Sequence, residues 1–128
     1  MTIQTATILA ERPGPFLNAN DRRHHMEQSK AVAVWRDAAF WLAKHHRLMC
    51  RGAVGPVEVF FEFGTKEPNK RRDPGNWYPT IKACCDGWTH ACVWADDDSE
   101  HVKTYEPTFT DTIGPKQFRA TFVWEDGK

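Results

Sequence analysis

Residues 57 to 64, Val-Glu-Val-Phe-Phe-Glu-Phe-Gly, are the stretch that decides the fold of this chain. The odd positions from 57 to 63 are all Val or Phe, while Glu58, Phe60 and Glu62 lie between them and Gly64 ends the pattern. Alternation with a period of two is typical of a strand that has one apolar face. The stretch therefore predicts a central strand that needs apolar partners on one side.

Upstream of this strand, residues 29 to 46 consist mostly of good helix formers. The apolar residues of this segment form one stripe and a second stripe beside it: Val32, Trp35, Ala39 and Leu42, then Val34, Ala38 and Trp41. A helix with so wide an apolar arc is buried on most sides, under a sheet or against a second copy of the protein. Residues 2 to 9 are rich in β-branched side chains and predict a first strand, which Pro13-Gly14-Pro15 ends.

Downstream, a basic loop at 66 to 73 leads into a second helix whose apolar positions have helical spacing: Trp77, Ile81, Cys84, Cys85 and Trp88. Pro79 is tolerated only in the first turn, so we expect the N-cap of this helix near Asn76. Residues 101 to 109 and 118 to 124 predict two more strands. The order β-α-β-α-β-β predicts a single α+β domain, residues 1–128, a sandwich of helices packed on one mixed sheet.

The composition supports one compact domain and excludes several classes of protein. With 128 residues and 41% hydrophobic side chains, the chain can bury one core without disulfides. No apolar run approaches the ~18 residues of a membrane span, and no secretion signal is evident, so we expect a cytoplasmic protein with no membrane partner. In that reducing setting the four cysteines are expected to be thiols or metal ligands rather than disulfides. The 17 basic and 17 acidic residues balance, which argues against nucleic-acid binding unless the charges are clustered.

The charges are in fact clustered. Lys70, Arg71 and Arg72 precede Asp73, and residues 96 to 98 are three consecutive aspartates some two dozen residues later. If the second helix folds back between strands, both clusters meet near the sheet. Mg²⁺ binds one or two carboxylates and leaves its other positions to water and substrate phosphates, an arrangement that suits phosphodiester hydrolysis. The alternative is a solvated turn and an ordinary basic loop, which the pattern alone favours.

Lys82 and Asp86 lie one turn apart on the flank of the second helix that faces away from its apolar stripe. They form either an ordinary i,i+4 ion pair or a site in which Lys82 stabilises negative charge in a transition state. A zinc site at Cys84, Cys85, His90 and Cys92 is disfavoured, because adjacent helical residues point about 100° apart and no C-x-x-C pair is present. Aromatic residues nearby either stack on bases or belong to the core: Trp77, Tyr78 and Trp94.

Several motifs follow one another in the second half of the chain: Arg71-Arg72-Asp73-Pro74-Gly75-Asn76, Lys82, Asp86-Gly87 and Asp96-Asp97-Asp98-Ser99. In this order and spacing they resemble the RusA-type Holliday junction resolvases of phages and prophages. That family carries an Arg-rich stretch running into D-x-D-N, then a Lys and an Asp on the next helix, and then an Asp-Asp pair before a strand. The resemblance extends more loosely over nearly the whole chain.

The resemblance implies a homodimeric, Mg²⁺-dependent endodeoxyribonuclease. Such an enzyme binds four-way DNA junctions and nicks two strands symmetrically in DNA recombination and repair, here in the cytoplasm of the bacterial host of a phage or prophage. By position, Asp73 and Asp97 match the metal-binding catalytic acids, and Lys82 is similar to the catalytic Lys. The residues expected to contact DNA are Lys70, Arg71, Arg72, Asn76, Arg22 and Arg23.

The chain departs from the family pattern at two places. Gly75 replaces the second acid of D-x-D-N, and Lys82 lies farther beyond Asn76 than in the family. We expect Asp96 or Asp98 to complete the metal site, with Asn76 and Asp86 as further options. If the change at Gly75 abolishes metal binding, the chain is instead a catalytically impaired protein that binds branched DNA. A third, unrelated alternative is an interaction protein whose Trp-rich surface binds another protein.

Overall fold

A computed structural model describes residues 2–20 and 25–127 of the chain. The strands are β1 Thr2–Glu11, β2 Val57–Gly64, β3 Val102–Thr104, β4 Thr108–Thr110 and β5 Gln117–Asp126. The helices are α1 His25–His46 and α2 Tyr78–His90, and a 3-10 turn, Pro74–Trp77, leads into α2. The predicted α+β class, with helices packed on one mixed sheet, is confirmed.

The sheet is built around β5, which pairs antiparallel with β1 on one side and with β2 on the other. The other edge of β2 pairs in parallel with β3 near its start and with β4 near its end. The alternation predicted for β2 is confirmed, because its four odd-numbered side chains from 57 to 63 are at most 2% exposed. These residues and the inward side chains of β5 form the face on which both helices pack.

Three details of the predicted elements are wrong. Residues 101 to 109 form two short strands instead of one, because Pro107 between them lacks the N–H that a continuous ladder requires. The helix predicted from Ser29 already begins at His25. Asn76 is not the N-cap of α2: Trp77 occupies that position without a side-chain hydrogen bond, whereas Asp73 caps the preceding 3-10 turn.

Helix α1 covers the sheet with one stripe and leaves its outer side uncovered within the chain. Trp35 and Ala39 are buried, and the Trp35 ring lies 5.3 Å from that of Phe118, centroid to centroid. On the outer side, Val34 is 46% and Trp41 67% exposed. The sheet therefore covers only one side of the wide apolar arc, and the other side contacts solvent.

Helices α1 and α2 approach each other closely at Gly87. A Cβ atom at this position would lie 2.2 Å from the backbone oxygen of Arg36 and 3.0 Å from the Cβ of Ala39. Only glycine lets the two backbones come this near. Further along α2, Trp88 is fully buried against Phe122, with ring centroids 4.9 Å apart.

All four cysteines are free thiols, and three of them are buried. Burial raises the pKa of Cys50 to about 12, and burial followed by the nearby charge of Asp86 raises the pKa of Cys85 to about 12. These thiols are therefore protonated near neutral pH and pack as small apolar groups. Among the helices of the described residues, none is long and apolar enough to cross a membrane.

Candidate functional site

Lys82, Asp86 and Asp97 form a cluster on the exposed flank of α2. The Nζ atom of Lys82 donates a hydrogen bond to Asp86 Oδ1 at 2.7 Å, and it lies 3.7 Å from Asp97 Oδ2. Asp86 is one helical turn away, whereas Asp97 comes from the turn after the helix. The structure thus brings the predicted residues Lys82, Asp86 and Asp97 together, and it confirms the i,i+4 ion pair of Lys82 with Asp86.

The end of α2 determines why Asp97 reaches Lys82. Cys92 has a φ of +65°, its N–H donates to the Thr89 oxygen, and the N–H of Val93 donates to the Trp88 oxygen. This is a Schellman motif, in which one left-handed residue ends a helix and reverses the chain. Trp94 is then fixed in the core, and its Nε1 donates to Thr89 Oγ1 at 2.7 Å. The reversal directs the following aspartates back towards the flank of α2.

The two carboxylates change the acidity of the lysine between them. The hydrogen bond to Asp86, and next the negative charges of Asp86 and Asp97, raise the pKa of Lys82, while partial burial opposes them. Lys82 therefore stays positively charged across the physiological range. Its side chain is 51% exposed, so it remains accessible to a ligand.

The other two predicted aspartates of the turn are bound within the turn. Asp96 Oδ1 accepts a hydrogen bond from the N–H of Asp97 at 2.8 Å. Asp98 Oδ1 accepts from the N–H of Glu100 and lies 2.5 Å from His101 Nδ1. The contact with His101 lowers the pKa of Asp98, and the same contact raises the pKa of His101. Of the three aspartates, Asp97 is therefore the one that contacts Lys82.

Asp73 lies at the start of the 3-10 turn, on the surface. Its Oδ1 accepts a hydrogen bond from the N–H of Gly75 at 3.1 Å, and its backbone oxygen accepts one from Asn76. Asn76 in turn holds residue Ala19 through a backbone hydrogen bond of 2.7 Å. A Cβ at Gly75 would meet only Asp73 Oδ1, at 3.5 Å, so this position has room for a side chain.

The basic stretch separates into one anchored and two exposed side chains. Arg72 donates from Nη1 to the backbone oxygens of Glu67 and Lys70 and from Nη2 to Thr65 Oγ1, and thereby holds the loop. Lys70 and Arg71 are exposed. The remaining predicted DNA contacts, at positions 22 and 23, lie outside the described residues.

The carboxylates of the cluster have the donor chemistry that Mg²⁺ requires. Asp86 and Asp97 present hard oxygen atoms within 4 Å of a single nitrogen, and Mg²⁺ often takes only one or two carboxylates from the protein. Within residues 2–20 and 25–127, no three His, Cys, Asp or Glu side chains are grouped closely enough to hold a metal by themselves. The site therefore fits an ion that shares its coordination with water and a phosphate.

Sequence reasoning missed two structural contributors near this site. Thr80 is buried at the start of α2, and its Oγ1 accepts from the N–H of Leu17 and donates to the oxygen of the same residue. These two hydrogen bonds hold Leu17, and with it the segment that follows β1, against the start of α2. Arg12 and Phe109 lie beside Arg72 in the folded chain, and no local pattern marks them.

Comparison with known proteins adds no family or relative to this picture. No protein-family model matches the chain, and no curated protein matches it significantly.

Proposed function

We propose that this chain is a Mg²⁺-dependent, structure-selective endodeoxyribonuclease of RusA type that resolves four-way DNA junctions. It would act in the cytoplasm of a bacterial host as a phage or prophage protein. The observation that carries the proposal is the placement of Lys82 between Asp86 and Asp97. The order of motifs along the chain supports it independently.

The residues of the proposed site each have a definite role, both those of the cluster and those outside it. Asp97 and Asp73 would hold the metal, with Asp86, Asp96 or Asp98 as the further oxygen donor that replaces the missing acid at position 75. The metal supplies an activated water and charge on the leaving oxygen. Lys82, which is positively charged and exposed, offsets the negative charge that develops on the phosphate. Lys70 and Arg71 contact neighbouring phosphates of the DNA.

The proposal includes a homodimer, because two symmetric cuts require two sites related by a two-fold axis. The outer side of α1 is the candidate interface: Met26, Val34 and Trp41 recur at spacings of eight and seven residues, which places them on one helix face. An exposed Trp is a frequent central residue of protein interfaces. We expect Trp41→Glu to convert a dimer into a monomer in light scattering, whereas Lys103→Glu, an exposed charge change on β3, should leave the dimer intact.

The second candidate function is binding of branched DNA without cleavage. The specific observation that favours it is Gly75, which removes a carboxylate beside Asp73. In that case Lys82 is held by Asp86 and Asp97 as a purely structural ion pair. Such a protein would shift a junction in a gel and leave it intact with Mg²⁺ present.

Cleavage of a synthetic four-way junction tests the proposal. The wild-type chain should cut it with Mg²⁺ and not with EDTA, and Asp97→Asn, Asp73→Asn and Lys82→Gln should each reduce the rate by about 100-fold or more. Glu106→Gln, at an exposed acid between β3 and β4, is the matched control and should cut normally. Full activity of Asp97→Asn and Asp73→Asn would refute the proposed site, and an intact but bound junction would establish the second candidate.

A further inference from the structure

A cavity of about 200 Å³ opens at the end of β2, where the basic loop begins. Its lining combines aromatic rings with cationic side chains: Phe16, Trp77 and Phe109 with Arg12, Lys66 and Arg72. The three rings are half-buried. The buried ring of Phe63 lies beneath them, with its centroid 4.7 Å from that of Phe16 and 5.9 Å from that of Phe109.

The cations of this cavity are not neutralised. Within the described residues, no carboxylate lies within 4 Å of Arg12, Lys66 or Arg72, and no acidic side chain lines the cavity. By contrast, Arg119 on the opposite face of the sheet is held by a bidentate ion pair with Glu62 at 2.8 Å. The cavity therefore attracts an anion.

Arg72 is positioned to contact such a ligand without moving. A guanidinium has five N–H donors, and Arg72 uses three of them on Glu67, Lys70 and Thr65. The group lies over the ring of Phe109 with its carbon 4.7 Å from the ring centroid. The Arg12 guanidinium lies over Phe16 at 5.2 Å in the same way. Both cations are thus held against rings that line the cavity.

We propose that this cavity binds one unstacked nucleotide of a DNA strand, an inference that rests on the proposed action on branched DNA. The base packs against the exposed parts of the rings of Phe16, Trp77 and Phe109, and its phosphate contacts Arg12 and Lys66. Aromatic rings combined with unneutralised cations are the means by which proteins hold single-stranded nucleic acid without reading its sequence. The volume is below the roughly 300–1,000 Å³ of pockets for drug-sized ligands, so it suits a single planar ring.

The position of the cavity connects this nucleotide with the cleavage site. Arg72 immediately precedes Asp73, and Trp77 ends the 3-10 turn that Asp73 caps. A nucleotide held here fixes the strand on one side of the scissile phosphate. Duplex DNA keeps its bases stacked and paired, so the cavity favours the open centre or a frayed arm of a junction over a continuous duplex.

The test compares two single strands of the same length and charge, an oligothymidylate of about 12 nucleotides and an abasic strand. Affinity is measured with the Asp97→Asn chain in EDTA, so that cleavage plays no part. We expect the thymidylate strand to bind at least about fivefold more tightly than the abasic one. Phe109→Leu, which removes a ring and keeps an apolar side chain, should abolish this preference. Phe60→Leu, at an exposed ring on the opposite face of the sheet, should retain it.

Two further variants test the inference even if Phe109→Leu fails to fold. Arg12→Gln and Lys66→Gln each remove one surface charge. Each substitution should weaken the binding of both strands. Each should also lower the slope of log affinity against log salt by about 0.7 per lost phosphate contact. Equal binding of both strands by the starting chain would overturn the inference, as would unchanged slopes. Equally tight binding of free thymidine monophosphate would overturn the assignment to a DNA strand. If the Asp97→Asn chain prefers the thymidylate strand but the wild-type chain cuts no junction, only the proposed cleavage is refuted, and the nucleotide site stands.

Discussion

Restoring the missing acid by Gly75→Asp should strengthen metal binding at Asp73. Gly75 has no positive φ, and a Cβ there would meet only Asp73 Oδ1 at 3.5 Å, so the backbone and the space both accept a side chain. The new carboxylate would lie beside that of Asp73 on the surface. Two adjacent carboxylates repel each other until a divalent cation binds between them. The variant should therefore be less stable than wild type without metal and more stable with it.

The size of both effects follows from the geometry. Two unit charges about 4 Å apart in water repel each other by about 1 kcal/mol, and this high-dielectric figure applies because both positions are exposed. At saturating Mg²⁺, a Kd that is 100-fold lower in the variant than in wild type adds about 2.7 kcal/mol of stability relative to wild type, which exceeds the repulsion. The difference in free energy of unfolding between the variant and wild type should therefore change sign when Mg²⁺ replaces EDTA.

Urea unfolding with and without Mg²⁺ measures this change, and Gly75→Asn is the control because it has the same shape without the charge. Junction cleavage should rise in the Asp variant and not in the Asn variant. If Mg²⁺ stabilises both variants equally, position 75 does not face the metal. The reasoning that places the metal beside Asp73 would then be wrong.

Three further predictions concern stability and charge. Lys82→Gln should lower the free energy of unfolding by less than about 1 kcal/mol, because its ion pairs with Asp86 and Asp97 are exposed; a larger loss in urea unfolding would contradict a functional role for this cluster. The pair of Asp98 and His101 should stabilise the fold most between pH 3.8 and 6.5, the ordinary pKa values of the two groups. The histidine share is lost as the pH rises through its raised pKa, and the aspartate share is lost as the pH falls through its lowered pKa; His101→Gln should flatten the profile of Tm against pH, and an unchanged profile would exclude the pair as its cause. Gly87→Ala should cost about 1–3 kcal/mol or more in urea unfolding by forcing α1 and α2 apart, and a neutral result would mean that the helices separate freely.

Local patterns were sufficient for most of the fold. The alternation in β2 and the helical spacing of the apolar residues in α2 reflect periods that each element imposes on its own residues, so both were predictable. The single strand over residues 101 to 109 was a wrong prediction, although Pro107 was visible in the sequence. Pro107 lacks the N–H that a continuous ladder requires, so the folded sheet breaks at that residue.

The candidate site was only partly predictable, because its members differ in how far apart they lie along the chain. The contact of Lys82 with Asp86 follows from helical geometry alone. The arrival of Asp97 depends on the left-handed conformation of Cys92, a residue type that rarely adopts it. The cavity joins Arg12 to Phe109 across most of the chain, and such a meeting depends on the sheet order and on no local signal. The roles in catalysis and DNA binding remain predictions.

The pairing of β1 with β5 has a consequence for how the protein is made. All ten residues of β1, from Thr2 to Glu11, pair with residues 117 to 126, so β1 is synthesised more than 100 residues before its partner strand. Contacts this far apart along the chain form slowly. Until they form, β1 exposes backbone donors and acceptors on both edges, which is the state in which strands pair wrongly with other chains. We therefore expect the yield of soluble protein to vary with the speed and temperature of synthesis. The stability of the folded protein should not account for this variation.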